Sequence, residues 1–316
     1  MPKLKEVTPR VRMGRGLKRH NLTVFPLFAT EDITRSAYVT VGTAIRSGTG
    51  KVTEISEAGS VPKLAIDNLG ILPILIIDGE ELLGARQNRI ANITILAPAN
   101  KTIPIPVSCV ERGRWGYNSG AGDTGREFTD SPQVMYHEAR AKKSRDVSQS
   151  LFLHGARMAD QLSMWNNLSS FSAKMGFASP TQAMRDVYDN HKHNIDEYLK
   201  DVTVADGQIG AVFSINGHPA GIELFDSSET LATYLPKIMR SYALNALANQ
   251  VIKPREADDA EASQLLDSIL ELEAQSFPAI GLGEDLRIES KEITGGALAY
   301  DGRVVHLAAF NTAPPR

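Results

Sequence analysis

Two two-residue turns, Asn216-Gly217 and Asp301-Gly302, constrain what this chain can fold into more than any other feature. Asn-Gly or Asp-Gly between alternating apolar runs selects a tight hairpin turn whose twist matches its strands. GAVFSI and PAGIELF flank the first turn, GGALAY and RVVHLAAF the second, with DLRIES as a further strand before it. Around these hairpins the spacing is helical. The predicted helices are Ser131–Arg145, Ser148–Met175 and Thr181–Leu199, then one running from Ser227-Ser228-Glu229 to Asn249, and Ala260–Ala274. Ser179-Pro180-Thr181 gives the third a start signal, with proline in the first turn.

The front of the chain reads differently. Leu22–Phe28, Lys51–Ser56, Val61–Asp67, Pro73–Ile77, Gly84–Leu96 and Thr102–Val110 are short strand-like runs separated by turn signals such as DNLG and PANK, and only Thr40–Ser47 looks helical. Such regular, Pro- and Gly-punctuated strands predict an antiparallel sandwich or barrel-like sheet. The expected class is α+β, in four stretches. A basic tail covers 1–20, and a β-rich domain or subdomain 21–118. A Gly-rich loop or linker covers 119–130, and a helix-plus-hairpin region 131–316.

Hydrophobic content of 42% and charged content of 22% exclude disordered and fibrous classes. A net charge of −3 gives no case for nucleic-acid binding by the whole chain. The charge is uneven. Lys3, Lys5, Arg10, Arg12, Arg15, Lys18 and Arg19 stand near the start against Glu6 alone, while 256–273 carries seven acids and no base. A mobile tail and a solvated helix face account for this, or the tail pairs with an acidic surface. Cys109 is the single cysteine, which excludes an internal disulfide. No apolar run approaches the ~18 residues of a membrane span, and the start lacks an apolar signal core, so a cytoplasmic setting is expected.

Familiar catalytic signatures do not occur: there is no P-loop, no Rossmann glycine fingerprint, no GxSxG elbow and no HExxH. His191 and His193 are two apart on a predicted helix and share no face, and His306 reads as a core residue. No metal site is expected and no cofactor is assigned. Cys109 reads as a buried structural thiol, since no catalytic histidine can be matched to it.

One stretch concentrates chemistry. DGEELLGARQNRIAN follows the apolar run Ile74–Ile77 and sets carboxylates, guanidiniums and carboxamides side by side. Glu80 and Glu81 are candidate catalytic acid/base groups. Asp78, Arg86, Gln87, Asn88, Arg89 and Asn92 are candidate ligand-binding residues, joined by Glu111, Arg114 and Trp115 at the end of a later strand. Arginine pairs bidentately with phosphate or carboxylate, carboxamides suit sugar hydroxyls or a base edge, and an indole offers a stacking face. Arg240 is the one further candidate, in the helical half. The alternative is a Glu–Arg–Asn network clamping a sheet corner.

These residues carry a resemblance. GSVPKLAIDNLGILPILIIDGEELLGARQNR, IPVSCVERGRW, SPTQAMRDVY, GIELFDSSETLATYLPKIMRSYALNAL, DLRIES and VVHLAAF together resemble the ARG and Rhodanese-Phosphatase-superfamily-associated Protein domain, where ARG denotes ADP-ribosylglycohydrolase. The resemblance runs from about Leu22 to Phe310. Its signature falls on Asp78, Gly79, Glu80, Glu81, Gly84, Ala85, Gln87, Asn88, Arg89, Ser108, Cys109, Glu111, Gly113, Arg114 and Trp115. It implies a setting in metabolism or signalling by NAD-derived molecules. Three functions follow as expectations: an enzyme on an ADP-ribose-like or nucleotide substrate, a non-catalytic module binding the same ligand class, and an interaction module whose signature is structural. The expected partner is such a small molecule; a second copy of the chain is compatible, while membrane and nucleic acid are not expected.

Overall fold

Both hairpins form, and they form against each other. Asn216 and Gly217 take φ of +52° and +81°, and Asp301 and Gly302 +51° and +74°, the left-handed pairs that a tight hairpin turn requires. Strands Gln208–Ile215 and His218–Phe225 make the first hairpin, Ile293–Tyr300 and Arg303–Asn311 the second. His218–Phe225 then pairs antiparallel with Arg303–Asn311, so the two hairpins form the centre of a nine-stranded sheet. This computed structural model describes residues 3–31, 37–56, 59–116 and 127–314.

Strands from both ends of the chain complete that sheet. Glu284–Glu289 and Gln275–Pro278 extend one side. On the other, Leu22–Ala29 pairs with Gln208–Ile215 and carries the short strands Val11–Met13 and Leu17–Arg19. The strand predicted at Leu22–Phe28 thus joins the back of the molecule. Alternation along the sheet feeds two cores. Phe213 and Phe225 face the long helix Ser228–Ala248, whose Tyr242 stacks on Phe213 at 4.0 Å. Val212, Ile222 and Leu224 face the helix Asp259–Leu270 through Leu265 and Ile269.

The β-rich front closes into a six-stranded barrel. Its strands run in the order Lys101–Cys109, Lys63–Asn68, Gly50–Glu54, Glu127–Val134, Glu80–Gly84 and Arg89–Ala91, which returns to Lys101–Cys109. Val52, Leu64, Ile66, Leu82, Ile105, Val107 and Phe128 fill it. Closure leaves no unpaired sheet edge. A three-stranded sheet of Ile95–Ala97, Ile74–Ile76 and Val39–Thr40 lies beside it, and the helix Val41–Arg46 starts where Thr40 accepts from the Thr43 amide.

Several predicted elements are revised. The single strand expected over Gly84–Leu96 is broken into a hairpin and two strands, because Gly84 and Ala85 take φ of +136° and +43°. Only glycine fits at the first, where a Cβ would stand 2.5 Å from the Glu127 carbonyl oxygen. The helix expected from Ser131 begins at His137, since Glu127–Val134 is a barrel strand. The helix expected over Ser148–Met175 is two, His137–His154 and Gln161–Lys174, divided by Gly155 at φ +66° and restarted by the Asp160 cap. Thr181–Leu199 likewise divides into Met184–Asn190 and Lys192–Leu199. The linker expected over 119–130 lies outside the described residues up to 126 and is strand from Glu127.

The basic start of the chain meets the acidic stretch. Lys3 and Lys5 pair with Glu271 at 2.8 and 2.6 Å, Lys18 pairs with Glu256 at 2.5 Å, and Leu4 is buried against the helix Asp259–Leu270. Among the described residues no helix is long and apolar enough to cross a membrane, and no group of His, Cys, Asp and Glu is arranged to hold a metal.

Candidate ligand site at the barrel mouth

The signature divides into two parts. In the first, ionic groups are held by helices packed on the barrel. Asp78 follows the strand Ile74–Ile76, and its carboxylate accepts from Arg140 Nε at 3.2 Å and from Lys143 Nζ, one turn apart on His137–His154. Gly79, at φ +75°, leaves room for this: a Cβ there would meet Arg140 Nε at 2.8 Å. Arg140 also donates to Glu223 at 2.5 Å, and Glu223 contacts His306 Nε2 at 3.0 Å. His306 Nδ1 lies 2.7 Å from the Thr94 hydroxyl, which accepts from the Asp78 amide at 3.0 Å. The circuit returns to Asp78. Burial alone would raise the Asp78 carboxyl, but Lys143 and Arg140 outweigh it and hold it below the usual range. Burial pulls Lys143 down to about 8 against the pull of Asp78, which leaves it a cation at neutral pH.

Glu80 is similarly enclosed. It accepts from Lys237 at 2.8 Å, from the Tyr234 hydroxyl at 3.1 Å and from the Ile77 amide at 3.1 Å. Asn92 is held between the Ser108 hydroxyl, 2.7 Å from its Oδ1, and the Arg157 carbonyl, 2.9 Å from its Nδ2. Glu81 accepts from Ser131 at 2.6 Å and Gln133 at 2.8 Å, while its Oε1 has no hydrogen-bond partner among the described residues. Burial lifts its carboxyl to about 7 despite those two hydrogen bonds.

The second part surrounds one end of the barrel. Arg89 pairs in register with Cys109 and with Leu82, so its side chain shares their side of the wall, the barrel interior. It is fully buried and donates once to a side chain, from Nη1 to Gln87 Oε1 at 3.0 Å. Its Nε and Nη2 have no hydrogen-bond partner among the described residues. Diametrically across the six strands, Glu54 follows Val52 inward, 8% exposed, and neither of its oxygens is hydrogen-bonded among the described residues. Burial pulls the Arg89 guanidinium down, opposed by Cys109 and Glu54. The Cys109 thiol donates to Gln87 Oε1 at 3.1 Å and is pushed up by burial, so it is a poor nucleophile.

Arg114 frames this mouth. It forks onto Glu111 with Nε–Oε1 at 2.8 Å and Nη2–Oε2 at 2.6 Å. The same guanidinium donates to the Ala85 and Gly116 carbonyls and to Asn88 Oδ1, at 2.6, 3.1 and 3.1 Å. Trp115 is 49% exposed, with the Arg86 and Arg89 guanidinium carbons 5.4 and 5.8 Å from its ring centroid.

The structure therefore gathers Arg86, Gln87, Asn88, Arg89, Glu111, Arg114 and Trp115 at one mouth. Asp78, Glu80, Glu81 and Asn92 stand apart from it, each with other partners. Arg240 is elsewhere, donating to Asp196 at 2.9 Å. Glu54 was not among the expected residues. Its signal was an acid at an inward position of the alternating run Val52-Thr53-Glu54. Arg140 and Lys143, the partners of Asp78, and Glu223 carried no such signal, while His306 is the buried, hydrogen-bonded core residue that its apolar strand implied.

A small closed barrel with a polar mouth, docked on a sheet-and-helix body, defines the architecture. The chain belongs to the ARG and Rhodanese-Phosphatase-superfamily-associated Protein domain family, whose profile matches residues 10–310. No curated protein and no solved structure matches it.

Proposed function

We propose that the barrel mouth binds an anionic ligand of the nucleotide or ADP-ribose class. The carrying observation is Arg89. Its two unpartnered groups, Nε and Nη2, lie on the same edge of the guanidinium, the edge whose parallel N–H bonds fit two oxygens of a phosphate or carboxylate. Buried donors left unmade cost about 1–3 kcal/mol, which an anion on that edge would recover. Glu54 supplies the complementary chemistry, accepting from ribose hydroxyls, and the exposed half of Trp115 offers a stacking surface for a base.

The geometry supports binding over turnover. Glu81 pairs in register with Ile90 and Arg89 with Leu82, so Glu81 and Arg89 leave the barrel wall on opposite sides. Glu80 is already saturated by Lys237 and Tyr234. A catalytic role for Glu81 would need a substrate that spans the wall.

Thermal shift and calorimetry with ADP-ribose, AMP and inorganic pyrophosphate test this. ADP-ribose is expected to raise the melting temperature of the wild type, with a shift that grows with concentration. Arg89→Met should abolish the shift, and Glu54→Gln and Trp115→Ala should weaken it. No response to any of the three compounds, or a response that persists in Arg89→Met, would overturn the assignment.

A further inference from the structure

The helix Gln161–Lys174, the loop 176–182 and the start of the helix Met184–Asn190 line a cavity of about 380 Å³, which shares no lining residue with the barrel mouth although Ala183 bridges to Glu111. That volume is within the size range of small-molecule sites and well above the roughly 150 Å³ that holds a benzene. Its walls are apolar: Leu168, Phe171, Met184, Val187 and Leu244, with Tyr136 stacked on Phe171 at 4.0 Å and 18°.

Tyr136 makes this more than a packing gap. The residue is 3% exposed, yet its hydroxyl has no hydrogen-bond partner among the described residues. Three other buried tyrosines are satisfied: Tyr188 donates to the Val134 carbonyl at 2.9 Å, Tyr198 to Asn21 at 2.8 Å and Tyr234 to Glu80 at 3.1 Å, whereas Tyr242, outside the cavity, is also without a hydrogen-bond partner among the described residues. Two of the polar groups at the cavity rim are engaged. Ser179 donates to Asp186 at 2.6 Å, and Ser172 donates to the Phe177 carbonyl. The Tyr136 hydroxyl is not among the enclosed polar atoms, and as part of the cavity lining it is open to an acceptor from outside the chain.

We propose that this cavity is a second ligand site, separate from the barrel mouth, for a small one- or two-ring apolar molecule with a single hydrogen-bond acceptor for the Tyr136 hydroxyl. Stacked aromatic walls favour a planar ring, and the absence of a buried cation among the lining residues disfavours an anion.

A matched pair of probes tests it: 1-indanone, which carries a carbonyl, and indane, which has the same skeleton without one. Binding is followed by saturation-transfer NMR and titration. The wild type should bind 1-indanone about five- to tenfold more tightly than indane, the worth of one hydrogen bond. Tyr136→Phe should reduce 1-indanone to the level of indane and leave indane unchanged. Ala173→Trp, at an exposed rim position, should block both probes, whereas Arg89→Met should affect neither. Equal affinity for the two probes in the wild type, no binding of either, or binding that survives Ala173→Trp would each overturn the proposal.

Discussion

Two parts of one signature, eleven residues apart in sequence around Asp78 and Arg89, meet opposite physical fates. At Asp78 every charge is answered: the carboxylate has a lysine and an arginine, and the arginine has a second carboxylate. At Arg89 a cation just as deeply buried has one side-chain acceptor and two idle donors, with an idle carboxylate across the barrel. Buried networks in which each charge meets a counter-charge fix one part of a structure against another, even though Arg140 Nη2 makes no hydrogen bond among the described residues. Buried charges without a close counter-charge are retained where something outside the chain completes them, and proteins carry them at a cost in stability. The first part of the signature therefore reads as the clamp between barrel and helices, and the second as the site.

The largest effect should come from breaking the clamp. Asp78→Ala leaves Arg140 and Lys143 buried with an uncompensated positive charge, which should cost about 3–5 kcal/mol in urea unfolding. A loss below about 1 kcal/mol would mean the network is hydrated or loosely held, and the contrast with Arg89 would collapse.

Glu81 tests an intermediate case, a carboxyl that is buried and only partly satisfied. Its carboxyl stands at about 7 in the fold against an ordinary 4.5, so the folded state holds the proton over a range where the unfolded state has released it. The contribution is complete below about pH 4.5 and is lost as pH rises through 7. From this group alone the wild type should lose stability over that window, on the order of 2–3 kcal/mol at most. Glu81→Gln keeps the neutral shape and should flatten that part of the profile. Parallel profiles for wild type and variant between pH 4.5 and 7.5 would show that Glu81 is not protonated in the fold.

What could be read from sequence follows the range of the interactions. The Asn216-Gly217 and Asp301-Gly302 hairpins were legible because each turn is specified by its own two residues. The break after Gly84 was not, because Gly-Ala-Arg-Gln is a weak turn signal. Ala85 is held at a φ of +43° within a turn whose carbonyl and Asn88 carboxamide are both engaged by Arg114, nearly thirty residues on. Arg140 and Lys143 sit in HEARAKKSR, which reads as a solvated helix face. Their burial depends on Asp78 and Glu223, more than sixty residues away in either direction. The polar cluster itself was visible, but its division into clamp and mouth depends on register: Arg89 is opposite Leu82 and Glu81 opposite Ile90. A one-residue slip would exchange the two sides.

Arg89→Met is expected to move stability in the opposite direction to Asp78→Ala, and by less. It removes two unmade donors and a desolvated charge and gives up one hydrogen bond to Gln87. The expected change lies between about zero and 1 kcal/mol of stabilisation, together with loss of ligand response. A destabilisation of several kcal/mol would place Arg89 with Asp78 in a structural network and remove the distinction between the two parts.

The smallest effect separates burial from ion pairing as such. Glu271 takes both Lys3 and Lys5, and these contacts lower its carboxyl to about 2, yet all three groups are open to water. Solvent screening and the freedom lost by two long side chains offset most of what such exposed pairs gain. Lys3→Ala with Lys5→Ala should therefore leave the urea midpoint unchanged within error, even though it removes two of the shorter ion pairs in the molecule. If this double variant cost as much as Asp78→Ala, the short basic start would be anchored by charge. Anchoring would then not rest on Leu4 packed under the helix Asp259–Leu270, and ion-pair geometry rather than burial would separate the clamp from the mouth.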